Sequence, residues 1–173
     1  MLIPPAIFFV LATLFLLGIK KDDGGAMQSA IIGRPPPKII ENPLPGYRLL
    51  KNEMIKTDEV ILVNFWASWC PPCRAEHETL TEISNSGIAV YGVNFKDRAD
   101  NAKRFLEEDG NPFAAITMDA EGRSGINWGV TGLPETFIIG RDGTIFYRLA
   151  GPLIEGNYTK QFLPQLKKAL SKQ

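Results

Sequence analysis

The sequence predicts an α/β domain built on a central mixed sheet that is flanked by helices. Two runs rich in β-branched and aromatic residues, 59–68 and 87–95, are almost continuously apolar, which is typical of parallel strands that are covered on both faces. Each run is followed by a stretch with the apolar spacing of a helix. Further along, two short apolar runs flank Asp142 and Gly143, a dipeptide typical of a hairpin turn, and this indicates antiparallel pairing in the second half.

The first helix follows the strand at 59–68. It begins at the prolines of "PPCRAEHETLTEIS" and is expected to end near Asn85 to Gly87, with Ala75, Leu80 and Ile83 facing inward. The elements after the strand at 87–95 are a helix bounded by Asp97 or Asp100 and by Gly110, a short strand in "FAAITMD", a short helix or turn in "EGRSGINWGV", the hairpin strands "ETFIIG" and "TIFYRLAG", and a helix at 157–170 that Pro164 should kink.

Composition narrows the class of protein. The chain has 173 residues, of which 45% are hydrophobic, so it is long enough for one domain with a core and a short appendage. Its 19 Lys and Arg residues are balanced by 19 Asp and Glu residues. A chain without net charge has no overall field to attract a polyanion, and we therefore expect no nucleic-acid partner.

The first residues predict a membrane anchor. Residues 2–19 carry no charge and have about the minimum length for a membrane-spanning helix. A cleaved secretory signal is the alternative, but no Lys or Arg precedes the apolar run and no clean small-residue cleavage site lies after it. Lys20 and Lys21 would favour a cytoplasmic location for the rest of the chain, so the charge pattern alone does not place the domain outside. The predicted division is a membrane anchor at 1–20, a proline-rich linker and edge segment at 21–45, and the domain at 46–173.

The stretch "WASWCPPCRAEH", residues 66–77, holds the only two cysteines, the only histidine, and Trp66 and Trp69, which should pack beside the cysteines and flank a groove there. A structural zinc site needs about four ligands, and a C-x-x-C pair supplies two. Covalent haem attachment requires C-x-x-C-H, and Arg74 occupies the position of that histidine. A purely structural disulfide would gain little from closing so short a loop. Thiol–disulfide exchange is the remaining interpretation, and it needs no metal and no cofactor beyond the cysteine pair.

The position of the pair at a strand-to-helix junction predicts the role of each cysteine. Cys70 would lie at the helix N-terminus, where the helix dipole favours the thiolate, so we expect it to be the nucleophile. Cys73, about one turn further on, would be the resolving thiol. Pro71 and Pro72 offer no amide donor and no charge, which favours a reducing couple over an oxidising one.

Beyond these arguments, "ILVNFWASWCPPCR" resembles the active-site signature of the thioredoxin superfamily. Residues 129–151, "GVTGLPETFIIGRDGTIFYRLAG", look like the second half of that fold. The resemblance implies a thioredoxin-like fold over 46–173 and a cis Pro134 that faces the cysteines. It also implies a substrate-binding edge at Leu133. The candidate substrate-binding residues are Trp69, Leu133, Pro134 and Glu135.

Three further motifs, "CRAEH", "GVNFKD" and "G-x-P-E-T-F", resemble the CcmG or DsbE type of cytochrome c maturation protein, which is related to the TlpA and ResA reductases. The resemblance implies a single-pass inner-membrane protein whose C-terminal domain lies in the periplasm. It would take electrons from a membrane thiol carrier of the CcdA or DsbD kind and reduce apocytochrome c, or the haem-lyase or holder protein that carries it. Two alternatives remain: a TlpA-like general or copper-site thiol reductase, and a copper chaperone that uses Cys70, Cys73 and His77 as ligands.

The sequence also departs from the superfamily pattern. Asn64 occupies the position of the buried aspartate that thioredoxins carry, and an amide does not titrate. The resemblance offers Glu76, three residues after Cys73, as a candidate proton acceptor, and Glu135 as a second acid. The alternatives are an exposed helix glutamate for Glu76 and an exposed strand-end acid for Glu135. His77 is expected to be a surface or capping residue. Trp128 is expected to pack in the core.

Overall fold

A computed structural model describes Phe8, Thr13 and residues 30–172. Apart from Phe8 and Thr13, the membrane anchor predicted at 1–20 lies outside the described residues. Within the part of the chain that is described, no helix is both long enough and apolar enough to cross a bilayer. One folding unit extends from Ile31 to the C-terminus.

As the sequence predicted, strands and helices alternate over the first part of this unit, and a hairpin and a C-terminal helix follow. In chain order the elements are α1 (Asn52–Ile55), β1 (Ile61–Trp66), α2 (Pro71–Ala75), α3 (His77–Asn85), β2 (Val90–Phe95), α4 (Ala99–Asp109), β3 (Ala115–Asp119), α5 (Arg123–Asn127), β4 (Glu135–Ile139), β5 (Ile145–Ala150), a π-helical segment (Asn157–Phe162) and α6 (Leu163–Ser171).

The described strands form one mixed sheet in the order β3-β2-β1-β4-β5. β1 and β2 are parallel, as are β2 and β3, whereas β4 pairs antiparallel with both β1 and β5. The predicted change from parallel to antiparallel pairing is therefore confirmed. Because β4 runs against β1, its first residue, Glu135, pairs with Phe65 near the end of β1. The segment before β4 and the segment after β1 consequently meet at the same end of these two strands.

The core has a layer on each face of β1. All six β1 residues are buried, which explains why this strand is apolar nearly throughout instead of alternating. One layer includes Leu62, Trp66 and both cysteines. In the other layer, the ring centroids of Trp128 and Phe65 lie 5.5 Å apart, so the predicted packing role of Trp128 is confirmed.

The helix predicted from Pro71 to about Asn85 is interrupted at Glu76, which separates α2 from α3. The interruption changes which side chains point inward: Ala75 is exposed, contrary to prediction, whereas Glu76 and His77 are buried. The predicted inward positions of Leu80 and Ile83 are confirmed. A buried carboxyl and a buried imidazole need polar partners from other elements, and the sequence pattern did not indicate them.

The C-terminal helix is irregular near Pro164. The π-helical segment ends at Phe162, and Pro164 is the second residue of α6. A proline lacks an N–H, and its ring would clash with the carbonyl four residues earlier in a regular α-helix. The widened turn lies directly before it, where the sequence predicted a kink.

Residues 31–45, which we assigned to a proline-rich linker and edge segment, pack against the domain. The amide of Gly33 donates to the carbonyl of Ile145 at 2.8 Å, and the amide of Met118 donates to the carbonyl of Asn42 at 2.8 Å. Ile39 and Leu44 are 3% and 0% exposed. This segment therefore contributes backbone pairing and core side chains to the folding unit, which extends from Ile31.

Candidate active site

The two cysteines lie where the turn after β1 enters α2. Cys70 immediately precedes α2, Cys73 lies within it, and a disulfide joins them. Both side chains are nearly buried, with exposures of 3% and 2%. The pair is therefore in its oxidised state, and two electrons would convert it to a dithiol.

A backbone amide supports the sulfur of Cys70. The N–H of Cys73 donates to this sulfur over 3.2 Å. Because Pro71 and Pro72 lack N–H groups, this amide is the first donor available after Cys70. A donor directed at sulfur favours the thiolate after reduction. The helix dipole contributes less than the sequence suggested, since α2 has five residues and ends before Glu76.

A groove of about 430 Å³ opens beside Cys70. It is lined by Ser68, Trp69, Cys70, Pro71, Arg74 and Ala75. Trp69 is 56% exposed and Trp66 is 1% exposed, so the prediction that both tryptophans flank the groove is correct for Trp69 alone. Because Cys70 lines the groove and Cys73 does not, an incoming disulfide would meet the sulfur of Cys70 first.

The loop before β4 lies at the end of β1 that leads to the cysteine pair. The Leu133–Pro134 peptide bond is cis, as the resemblance implied. Leu133 is half-buried and packs against both layers of the core, one of which contains the cysteine pair. Pro134 is buried, and its carbonyl accepts a hydrogen bond from the amide of Gly151 at 2.9 Å.

Glu76 lies in the core, so the alternative of an exposed helix glutamate is wrong. One carboxylate oxygen accepts from the amide of Leu153 and the other from the side-chain nitrogen of Asn64, both at 2.8 Å. Burial raises the pKa of Glu76 to about 7, although these two hydrogen bonds favour the charged form. A carboxyl group that titrates near neutral pH suits the acceptance and release of a proton.

Asn64 links Glu76 to the sheet. Its side-chain nitrogen also donates to the hydroxyl of Thr136 at 3.0 Å. The carbonyl oxygen of the same side chain is buried and has no hydrogen-bond partner in the described part of the protein. The residue that replaces the thioredoxin aspartate therefore acts as a donor to a different acid, Glu76.

Glu135 is also buried, so the alternative of an exposed strand-end acid is wrong. Arg148 donates to it from Nε and Nη2, with a shortest distance of 2.7 Å. The amide and hydroxyl of Thr131 donate to the same carboxylate at 2.8 and 2.9 Å. These contacts direct the carboxylate of Glu135 toward the loop that precedes Pro134.

His77 is buried, contrary to the expectation of a surface or capping residue. Its Nε2 lies 2.8 Å from the carbonyl oxygen of Gly110, and burial lowers its pKa, which favours the neutral ring. The imidazole also packs at right angles to the ring of Phe105. Among the described residues, no group of three His, Cys, Asp or Glu side chains is arranged to hold a metal ion.

From the sequence alone, Asp97 is a candidate boundary of the following helix. In the structure it is 9% exposed, and its carboxylate accepts hydrogen bonds from Ser68, two residues before Cys70. The motif "GVNFKD" contained this aspartate, but spacing along the chain gives no indication of a contact across 29 residues.

Comparisons with known proteins agree with this geometry. The Redoxin family model matches residues 52–163. The thiol:disulfide interchange protein DsbE homolog of Paracoccus denitrificans is 53% identical over 171 residues, which cover 99% of this chain and 95% of the relative. The thiol:disulfide interchange protein DsbE of Escherichia coli K12 is 38% identical, with 97% and 94% coverage.

Among solved structures, the thioredoxin-family thiol:disulfide interchange protein of Chlorobium tepidum superposes with a TM-score of 0.62 at 24% identity. The superposition covers 79% of this chain and 96% of the other. It shows a shared thioredoxin-like fold.

Proposed function

Since the chain belongs to the Redoxin family and to the DsbE-type thiol:disulfide interchange proteins, we propose that it acts as a reductant in cytochrome c maturation. Its substrate would be the disulfide of apocytochrome c, or of the haem-lyase or holder protein that carries it. The haem-attachment sequence C-x-x-C-H requires free thiols, so a disulfide there has to be reduced before haem binds.

The exchange would proceed in two displacements. The thiolate of Cys70 attacks one sulfur of the substrate disulfide, forming a mixed disulfide and releasing the other substrate sulfur as a thiolate. The thiolate of Cys73 then attacks the sulfur of Cys70. This step restores the Cys70–Cys73 disulfide and releases the second substrate thiol, so two electrons pass from the protein to the substrate.

Glu76 would accept the proton of Cys73 before the second displacement. It is three residues beyond Cys73, both side chains are buried, and its pKa of about 7 suits this transfer near neutral pH. The hydrogen bonds from Leu153 and Asn64 would hold the carboxylate that results.

The substrate would bind across the groove and the cis-proline loop. Trp69 forms an exposed apolar wall beside Cys70, and the backbone at Leu133 would pair with an extended substrate segment. Glu135 would act through the loop, since its carboxylate is engaged by Thr131 and Arg148.

The reduced form needs a supply of electrons. We propose that the chain is tethered to the inner membrane by its N-terminal segment, with the domain in the periplasm. In that oxidising compartment, a membrane thiol donor of the CcdA or DsbD kind would return the disulfide to the dithiol.

The observation that carries the proposal is that Cys70 lines an open groove and Cys73 does not, although the two side chains are 3% and 2% exposed. The test is a Cys73→Ser variant of the full chain in a cell that makes cytochromes c. This variant should retain Cys70 in a mixed disulfide, because the resolving thiol is missing. Mass spectrometry of the trapped complex would then identify the partner.

Recovery of apocytochrome c or its holder supports the proposal, and recovery of a copper-site protein would favour the TlpA-like alternative. Cys70→Ser is the matched control, since it keeps one thiol but lacks the nucleophile. Equal trapping by the two variants would contradict the assignment of Cys70 as the attacking residue.

A further inference from the structure

We propose that Asp97 is a positioning residue for exchange with protein disulfides, because it holds the turn that carries Trp69 beside Cys70. The inference rests on the thiol-exchange part of the proposed function and concerns how a large substrate reaches Cys70. It does not depend on which protein supplies the substrate disulfide.

The carboxylate of Asp97 is directed mainly at this turn. Oδ2 accepts from the amide of Ser68 at 2.6 Å, and Oδ1 accepts from the Ser68 hydroxyl at 2.9 Å. Ser68 is thus held at both its backbone and its side chain by one buried carboxylate. Hydrogen bonds to a charged acceptor are stronger than those between neutral groups, so these two bonds hold Ser68 strongly.

Two more donors fix the carboxylate itself. The side-chain nitrogen of Asn94, at the end of β2, donates to Oδ2 at 3.0 Å, and the amide of Arg98 donates to Oδ1 at 2.7 Å. Arg98 lies directly before α4, and no side-chain hydrogen bond caps this helix within the described residues. The contacts with Ser68 are not needed to begin α4, so they require another explanation.

The neighbouring Lys96 holds the indole. The Nε1 of Trp69 donates to the carbonyl of Lys96 at 3.0 Å. Lys96 has a φ of 46°, in the left-handed region that a lysine rarely adopts, and its amide donates to the carbonyl of Asp119 at 3.0 Å. The backbone before Asp97 is thereby attached to β3 and presents its carbonyl to the indole.

These contacts give one consequence for the groove. Ser68 and Trp69 both line the groove, and each is hydrogen-bonded to the segment at 96–97. Without the carboxylate, the turn loses its attachment at Ser68, and the indole is left with its single hydrogen bond to Lys96. Cys70 keeps its own contacts with Ala67 and Cys73. A bulky disulfide that must dock on Trp69 would be affected, whereas a small disulfide would not.

The test compares two disulfides reacting with the reduced full-length protein. One is a synthetic peptide with an oxidised Cys-x-x-Cys-His sequence, and the other is 2,2′-dithiodipyridine. Asp97→Asn should slow the peptide reaction about tenfold, as expected for the loss of a charged hydrogen bond, and change the small-disulfide reaction less than about twofold.

Asp142→Asn is the matched control. Asp142 also accepts from the amide and hydroxyl of a single residue, Thr144, at 3.0 and 2.8 Å, but it lies in the hairpin turn at the other end of β4. This variant should leave both rates unchanged. If Asp142→Asn slowed the peptide reaction as much as Asp97→Asn, the effect would be a general loss of stability and the inference would be wrong.

A double-mutant cycle tests whether Asp97 acts through the indole. In a Trp69→Ala background, Asp97→Asn should cause no further slowing of the peptide reaction. Acrylamide quenching gives a second measurement, because the other two tryptophans, Trp66 and Trp128, are buried. Quenching should increase in Asp97→Asn. Ser68→Ala removes only the hydroxyl contact, so it should show a weaker effect of the same sign, and it serves as the test variant if Asp97→Asn folds poorly.

Additive effects of Asp97→Asn and Trp69→Ala, or equal slowing of both disulfides, would overturn the inference while leaving the exchange reaction intact. Failure of the unmodified protein to reduce the peptide, with normal reaction toward the small disulfide, would contradict the proposed function itself. The two failures are therefore distinguishable.

Discussion

At the scale of single residues, Glu76 shows how burial and hydrogen bonding oppose one another. Removal from water disfavours the carboxylate, whereas donors at Leu153 and Asn64 favour it, and the pKa of about 7 shows that burial has the larger effect. Each of the two carboxylate oxygens accepts one hydrogen bond. An amide in the same place has only one oxygen, so Glu76→Gln would leave one donor without an acceptor.

We expect the stability of the oxidised protein to fall with rising pH because of Glu76. Its pKa is higher in the folded state than its ordinary value of 4.5, so the unfolded chain loses this proton first. The stabilising contribution is complete below about pH 4.5 and is lost as pH rises through about 7, a change of about 3 kcal/mol. In Glu76→Gln this pH dependence should be absent.

Urea unfolding at pH 5 and pH 8 would measure the difference for each variant. Glu78→Gln is the control, since Glu78 is an exposed glutamate two residues further on. The same loss of stability in the unmodified protein and in Glu76→Gln would show that Glu76 does not titrate in this range.

At the scale of elements, the β4–β5 hairpin and the loop before it are joined by an ion pair. Arg148 on β5 donates to Glu135 at the start of β4, and the side chains are 14% and 1% exposed. Glu135 in turn accepts from Thr131 in the loop that leads to Pro134. The hairpin strand therefore determines the position of the proposed substrate-binding edge.

Arg148→Met should destabilise the protein by about 3 kcal/mol, because it leaves the carboxylate of Glu135 buried without its cation. Replacement of both residues by apolar ones should cost less than this single change. The measurement is the free energy of unfolding in urea. Arg141→Met, at an exposed position in the hairpin turn, should cost under about 0.5 kcal/mol, and an equal loss in both single variants would show that the buried pair is not responsible.

At the scale of the whole folding unit, residues 31–45 belong to the unit that begins at Ile31. They pair with the sheet at Ile145 and beside Met118, and they place Ile39 and Leu44 in the core. A segment with these contacts is part of the fold, although its prolines gave it the composition of a spacer.

A chain that begins at residue 46 should therefore be less stable than one that begins at residue 31. The loss should be at least about 3 kcal/mol, since two fully buried aliphatic side chains and several backbone hydrogen bonds are removed. Thermal and urea unfolding of the two chains would test this. Equal stability would show that the segment contributes nothing to the fold and that the boundary lies at residue 46.

Local patterns were sufficient for several predictions. Apolar runs located β1 and β2, Asp142 and Gly143 located the hairpin, and the spacing of Cys70 and Cys73 indicated redox chemistry. Each of these properties depends on residues close together in the chain, so the sequence by itself determined the α/β fold class and the exchange site.

Other features depended on contacts between distant residues. The buried carboxyl of Glu76 has its hydrogen-bond partners at Leu153 and Asn64, His77 has its partner at Gly110, and Asp97 reaches Ser68. The energy of a buried polar group is decided by partners that packing supplies, and no pattern along the chain encodes their distance. The tertiary structure alone therefore decided which of these polar side chains are buried and which groups they bond.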